Sequence, residues 1–199
     1  MNESGSDKKV KDVGGGAKLS AMKERKPFLH YLDGFRTSHE IQKVELMDYE
    51  VYDRLLDKKA VENFRRNSLN PEHPVTRGTA QNDDIYFQTR EVQNKFYYAI
   101  PDIVANYMSE ISEVTGREYK PFVYYGAKDA TDIVIAMGSV TEAIKETVDL
   151  LLKEGKKVGL IQVHLYRPFS EKYFFDVLPE TVERIAVLDR TKEPGATGE

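Results

Sequence analysis

The densest run of side chains able to do chemistry is Asp33-Gly34-Phe35-Arg36-Thr37-Ser38-His39-Glu40. It follows Pro-Phe-Leu-His-Tyr-Leu at residues 27–32, a run of bulky side chains that reads as a buried strand ended by Asp33-Gly34. Open α/β sheets place ligand sites beyond the C-terminal ends of their strands. Arg36, Thr37 and His39 could there contact an anionic cofactor or a partner. The plainer reading is a strand-end turn in which Ser38 caps the next segment. Arg77, in Arg77-Gly78-Thr79-Ala80-Gln81-Asn82, could clamp a carboxylate or phosphate in bidentate fashion. It lies in a long polar loop over residues 70–84, and loops of that length serve function or an interface. Packing on a neighbouring subunit explains it equally well. Gly138-Ser139 opens a helix whose free N–H groups could hold an anion. Ordinary capping competes there, because Ser139 and Glu142 have capping-box spacing. His164, beside Tyr166 and Arg167, reads as a packed, hydrogen-bonded histidine, and residues 166–169 as a rigid strand exit. Residues 189–195 could form a site loop or a domain contact.

These groups make no nucleophile–base pair and no metal cluster. The four histidines, His30, His39, His73 and His164, show no zinc spacing. With no Cys, these residues hold no disulfide, thiol nucleophile or Cys-ligated iron–sulfur cluster. A net charge of -4 gives no reason to expect nucleic acid or an anionic membrane as partner. No apolar run approaches the roughly 20 residues of a membrane span, and residues 1–26 lack the apolar segment of a secretory signal. A cytoplasmic location is the default expectation. Neither a glycine-rich dinucleotide fingerprint nor a phosphate loop is present.

The elements that must position these side chains fall into three regions. Residues 1–26 are polar, with a Gly14-Gly15-Gly16 run, and are expected to be disordered because too few apolar groups offset about 1–2 kcal/mol of ordering entropy per residue. From residue 27 to 120, short strands are expected at 27–32 and 44–47 and helices at 49–56 and 58–67. A helical stretch over 91–115 carries Val92, Phe96, Ile100, Ile103, Val104, Tyr107, Met108 and Ile111 on one face, with Pro101 dividing or kinking it and Gly116 capping it. Residues 121–199 read as strands at 133–138, 158–165 and 184–189, joined by helices at 140–154 and 170–178 through right-handed crossovers. The first of these helices should bury Val140, Ala143, Ile144, Val148, Leu151 and Leu152. Three strands and two helices make an incomplete α/β domain with a parallel sheet, so the chain reads as a piece of something larger, poorly folded alone.

Several stretches closely resemble pyruvate:ferredoxin (flavodoxin) oxidoreductases. They are residues 27–30 and 34–43, Asn70-Pro71-Glu72-His73-Pro74, residues 77–82 and 85–88, Tyr124-Tyr125-Gly126-Ala127, Ala136-Met137-Gly138-Ser139, residues 165–169 and residues 187–195. The resemblance runs from about residue 26 to the end, in the family's order, and leaves out residues 1–25. It implies an enzyme that decarboxylates pyruvate on thiamine diphosphate with magnesium, passes electrons through [4Fe-4S] clusters to ferredoxin or flavodoxin, and acetylates coenzyme A. Residues 27–120 would then be the C-terminal part of the thiamine pyrimidine-binding domain. Residues 121–199 would be the N-terminal part of a Rossmann-like domain similar to the C-terminal domain of transketolase. The family's catalytic Glu and pyruvate-contacting residues lie outside the resembling stretch, so no catalytic or metal-binding residue is carried over and no cofactor is expected to bind this chain alone. Arg36, Thr37 and His39 are the residues expected to face the assembled site. The expected partners are the rest of the oxidoreductase, as a homodimer, and ferredoxin or flavodoxin through the whole enzyme. Two other readings stand beside this one: a non-catalytic scaffold of a split oxidoreductase, and part of another thiamine-dependent 2-oxoacid oxidoreductase.

Overall fold

The computed structural model describes residues 2–4, 7–39, 41, 43–75, 78, 80–189 and 194–195, of which 2–4, 7, 8 and 36 are described by backbone alone. The segment expected to be disordered is largely a helix, α1 (Asp7–Glu24), preceded by strand β1 (Asn2–Ser4). Local composition does not favour this helix; tertiary contacts do. Val13, Ala17 and Leu19 are buried, and Val13 joins a core with Ile100, Val104, Met108, Ile111, Tyr119 and Leu165. The glycine run permits the close approach: a Cβ on Gly16 would stand 3.1 Å from Ile111 Cδ1. Strand β2 (His30–Leu32) pairs in parallel with β1 and is half-buried rather than fully buried.

A single turn, α2 (Arg36–His39), follows β2; then α3 (Tyr49–Leu55) and α4 (Lys58–Arg66) occupy the two expected helical stretches. Asp57 caps α4, its carboxylate accepting the Ala60 N–H at 2.9 Å. Residues 44–47 form no strand. The expected helical stretch over 91–115 begins earlier and breaks elsewhere: α5 (Asp83–Val92) and α6 (Asn94–Thr115) meet at Gln93. Pro101 sits inside α6 and is buried. Its missing N–H costs about 3 kcal/mol, which the packing of Ile100, Val104, Tyr107, Met108 and Ile111 outweighs. Gly116 caps α6 in the left-handed region, φ 68, with its N–H donating to the Ser112 carbonyl at 2.9 Å.

The last third adds a four-stranded sheet of β3 (Phe122–Gly126), β4 (Asp132–Ala136), β5 (Val158–Val163) and β6 (Arg184–Val187), with α7 (Val140–Lys153) and α8 (Glu171–Phe175). The spatial order is β3-β5-β4-β6. The three expected strands are parallel to one another; β3, which sequence reading missed, is an antiparallel edge on β5. The class is therefore α/β with a mostly parallel sheet. Helix α7 covers one face, packing Val148 against Ala136 and Leu160, and α8 covers the other, over Phe122, Ile133 and Ile161. The buried stripe of α7 is rotated from expectation: Thr141 faces inward, while Val140 and Ala143 are exposed. Strand β6 is exposed along its whole length. Among the described residues, no helix is long and apolar enough to cross a membrane.

Candidate functional site

The C-terminal ends of β2 and β4 meet. Beyond β4, Gly138 takes φ 81, and this left-handed turn aims Ser139 away from its own helix. Asp33, just past β2, receives it. Its Oδ1 accepts the Ser139 N–H at 3.3 Å and the Thr37 hydroxyl at 3.1 Å, and its Oδ2 accepts the Ser139 hydroxyl. Tyr31 adds a hydroxyl contact to the Met137 sulfur at 3.5 Å. The expected capping box is therefore not formed: Ser139 makes no side-chain cap, and Glu142 instead accepts from Lys9 at 2.9 Å and Lys145 at 3.2 Å. Burial alone would raise the Asp33 carboxyl, but the donors from Ser139, from its own backbone N–H and from Thr37 outweigh it and hold it below its ordinary value.

The sequence-expected site residues are adjacent but not equivalent. Thr37 is 2% exposed and faces Asp33. His39 is exposed, with Nδ1 at 2.9 Å from the Ser38 hydroxyl and its ring stacked on Phe35 at 5.5 Å. Arg36 opens α2, just before Thr37, and is described by its backbone only. Glu40, Arg77, Thr79 and residues 190–193 lie outside the described residues.

A second polar cluster, which the sequence concealed, ties α1 to the sheet. Lys9 reaches Glu142 and, at 3.3 Å, Gln162; the Gln162 amide donates to Thr141 at 3.0 Å, whose hydroxyl donates to the Gly138 carbonyl at 2.7 Å. Burial lowers the Lys9 ammonium despite Glu142. His164 is packed as expected, Nδ1–H donating to the Lys120 carbonyl at 2.9 Å, while its buried Nε2 has no partner among the described residues. Burial, with smaller contributions from Lys9 and Lys145, pushes this imidazole down to about 4. Deeper along α1, Asp12 is 1% exposed and accepts from Tyr119 at 2.6 Å and Arg117 at 3.0 Å. Nothing in the sequence signals Lys9 or Asp12, since their partners lie more than a hundred residues away.

Residues 5–109 match the family model described as pyruvate flavodoxin/ferredoxin oxidoreductase, thiamine diphosphate-binding, and residues 130–199 match pyruvate:ferredoxin oxidoreductase core domain II. The chain belongs to the pyruvate flavodoxin/ferredoxin oxidoreductase family. It is 60% identical over 190 residues to pyruvate-flavodoxin oxidoreductase of Enterobacter agglomerans, covering 96% of this chain and 16% of that protein. To pyruvate:ferredoxin oxidoreductase of Moorella thermoacetica it is 53% identical over 199 residues, covering 100% of this chain and 17% of that protein. A solved 2-oxoglutarate:ferredoxin oxidoreductase of Magnetococcus marinus aligns at TM-score 0.35 and 19% identity, covering 58% of this chain and 18% of that one, and adds nothing to the assignment. The family match from residue 5 corrects the expectation that residues 1–25 are foreign to it. That stretch keeps its place through helix packing rather than through a recognisable motif.

The family implies thiamine diphosphate. The described residues do not fit it by themselves. Asp33, the carboxylate at the strand-end junction, has both oxygens engaged by Ser139 and Thr37. A diphosphate needs a divalent cation, and no three His, Asp or Glu side chains gather to hold one among the described residues. No step through thiamine diphosphate is assigned to this chain; its side chains can orient a loop and exclude water.

Proposed function

We propose that this chain is a segment of a pyruvate:ferredoxin/flavodoxin oxidoreductase, contributing scaffold and one site loop to an enzyme that oxidatively decarboxylates pyruvate to acetyl-CoA. The observation that carries this reading is the 60% identity to a pyruvate-flavodoxin oxidoreductase over 96% of the chain. In the assembled, homodimeric, cytoplasmic enzyme, thiamine diphosphate, magnesium and [4Fe-4S] clusters belong to parts of the protein beyond these residues, and ferredoxin or flavodoxin takes the electrons. The loop bearing Arg36, Thr37 and His39 faces the assembled site, and the boundary between the two domains falls near residue 120. The test is a segment exchange: these 199 residues replace the matching stretch of a full-length relative. Pyruvate- and coenzyme A-dependent viologen reduction is retained if the reading holds, and the isolated chain shows none. A folded exchange enzyme without activity overturns it.

A second reading, a non-catalytic interaction module, draws on one observation: Leu165 of the last third completes the core formed by Val13, Ile100, Val104 and Ile111. A monodisperse, cooperatively melting chain that still binds its full-length relative would favour that module.

A further inference from the structure

We propose that Asp33 is a latch that orients the 33–39 loop from outside the loop's own region, by gripping the start of α7. The loop's own contacts are local: the His39 N–H donates to the Phe35 carbonyl at 3.1 Å, and the Phe35 and His39 rings stack. It springs from a three-residue strand and turns through Gly34, around which an added Cβ would meet nothing within 4 Å among the described residues. Phe35 follows with φ 60 and is 82% exposed, and α2 is four residues long. Against this loose frame, Thr37 is buried, and the side chain it faces is Asp33. The same carboxylate takes the N–H and the hydroxyl of Ser139, 106 residues away.

The far side of the latch is built to receive an anion. The left-handed Gly138 directs both Ser139 donors outward, the Ser139 hydroxyl leaves its own helix uncapped, and α7 presents its positive end. Tyr31 on Met137 holds the strand ends in register. One carboxylate thus fixes Thr37 on one side and Ser139 on the other, and the direction in which His39 points follows the position of α7. Protonation removes one acceptor site, so the latch is closed while Asp33 is ionised and opens as the pH falls through its depressed midpoint. Among the described residues, the charged groups packed around the α7 end of the junction are Glu142 and the two lysines paired with it, Lys9 and Lys145. This inference goes beyond the proposed oxidoreductase role and does not depend on it.

The test uses the full chain and backbone amide exchange, corrected for intrinsic rate. In Asp33→Asn, the Ser139 amide, which donates to Asp33, should exchange at least tenfold faster, while Met108 and Ile111 in α6 keep their rates. In the unsubstituted chain, Ser139 protection should fall with pH in step with the Asp33 carboxyl resonance, and Ser139→Ala should raise that midpoint. Unchanged Ser139 exchange in Asp33→Asn, or an Asp33 midpoint indifferent to Ser139→Ala, overturns the proposal. If Asp33→Asn does not fold, the pH series on the unsubstituted chain decides alone: protection that ignores the Asp33 titration overturns the latch.

Discussion

At the residue scale, burial sets how the polar groups behave. His164 titrates at about 4 in the folded chain, against about 6.5 in an unfolded one. Between those values the unfolded state binds more protons, so stability falls as the pH drops from about 6.5 to about 4 and this contribution is flat outside that window. The full span is worth roughly 3 kcal/mol. His164→Gln keeps a donor for the Lys120 carbonyl and should flatten the decline; urea midpoints measured at pH 7 and pH 4.5 read it, and equal slopes in both proteins would contradict the assignment. Asp12 offers a second test. Its carboxylate is nearly inaccessible and serves Tyr119 and Arg117, so Asp12→Ala strands both and should cost about 3 kcal/mol. Tyr119→Phe, which leaves the Arg117 pair intact, should cost about half as much in the same denaturation series. His164 was legible from its sequence setting as a packed residue. Lys9 and Asp12 were not, because a buried charge is identified only by its distant partner.

At the element scale, one edge depends on glycine for a backbone reason. Gly126 pairs with Gly159 across β3 and β5, with φ 143, and a Cβ there would lie 2.5 Å from the Gly159 Cα and 2.5 Å from the Val158 carbonyl oxygen. Gly159 in turn lies under the Tyr124 ring, whose hydroxyl donates to the Ala127 carbonyl. Neither backbone contact can rotate away, so Gly126→Ala should cost about 3 kcal/mol and lower the melting temperature by roughly 10 °C. An unchanged melting temperature would mean that β3 is dispensable to the sheet. Periodicity located α3, α4, α6 and α7 because their apolar positions recur at helical spacing. It failed for β3, whose strand partner, β5, starts more than thirty residues later, and for α1, whose apolar residues are few and are buried against distant elements such as α6.

At the scale of the whole molecule, the two family-matched stretches share one core through Val13 and Leu165, yet large side chains stand in the open. Tyr49, Phe87 and Tyr98 are exposed, and β6 presents Ile185 and Val187 on a sheet edge with no strand beside it among the described residues. Such an edge invites pairing with another chain. The isolated chain should therefore show a light-scattering mass that rises with concentration, and Ile185→Lys, which places a charge on the edge, should reduce that rise. A mass independent of concentration would show that the exposed edge is harmless.

Sequence alone determined the family, the mostly parallel α/β class, the main helices and the polar loop after β2, because these rest on ordered motifs and on local periodicity. Only the tertiary structure decided that residues 7–24 fold into a helix, that β3 closes the sheet on one side, and that Ser139 binds Asp33 instead of capping α7. Each of those outcomes turns on groups far apart in the chain, whose contact energies exist only once the core has brought them together.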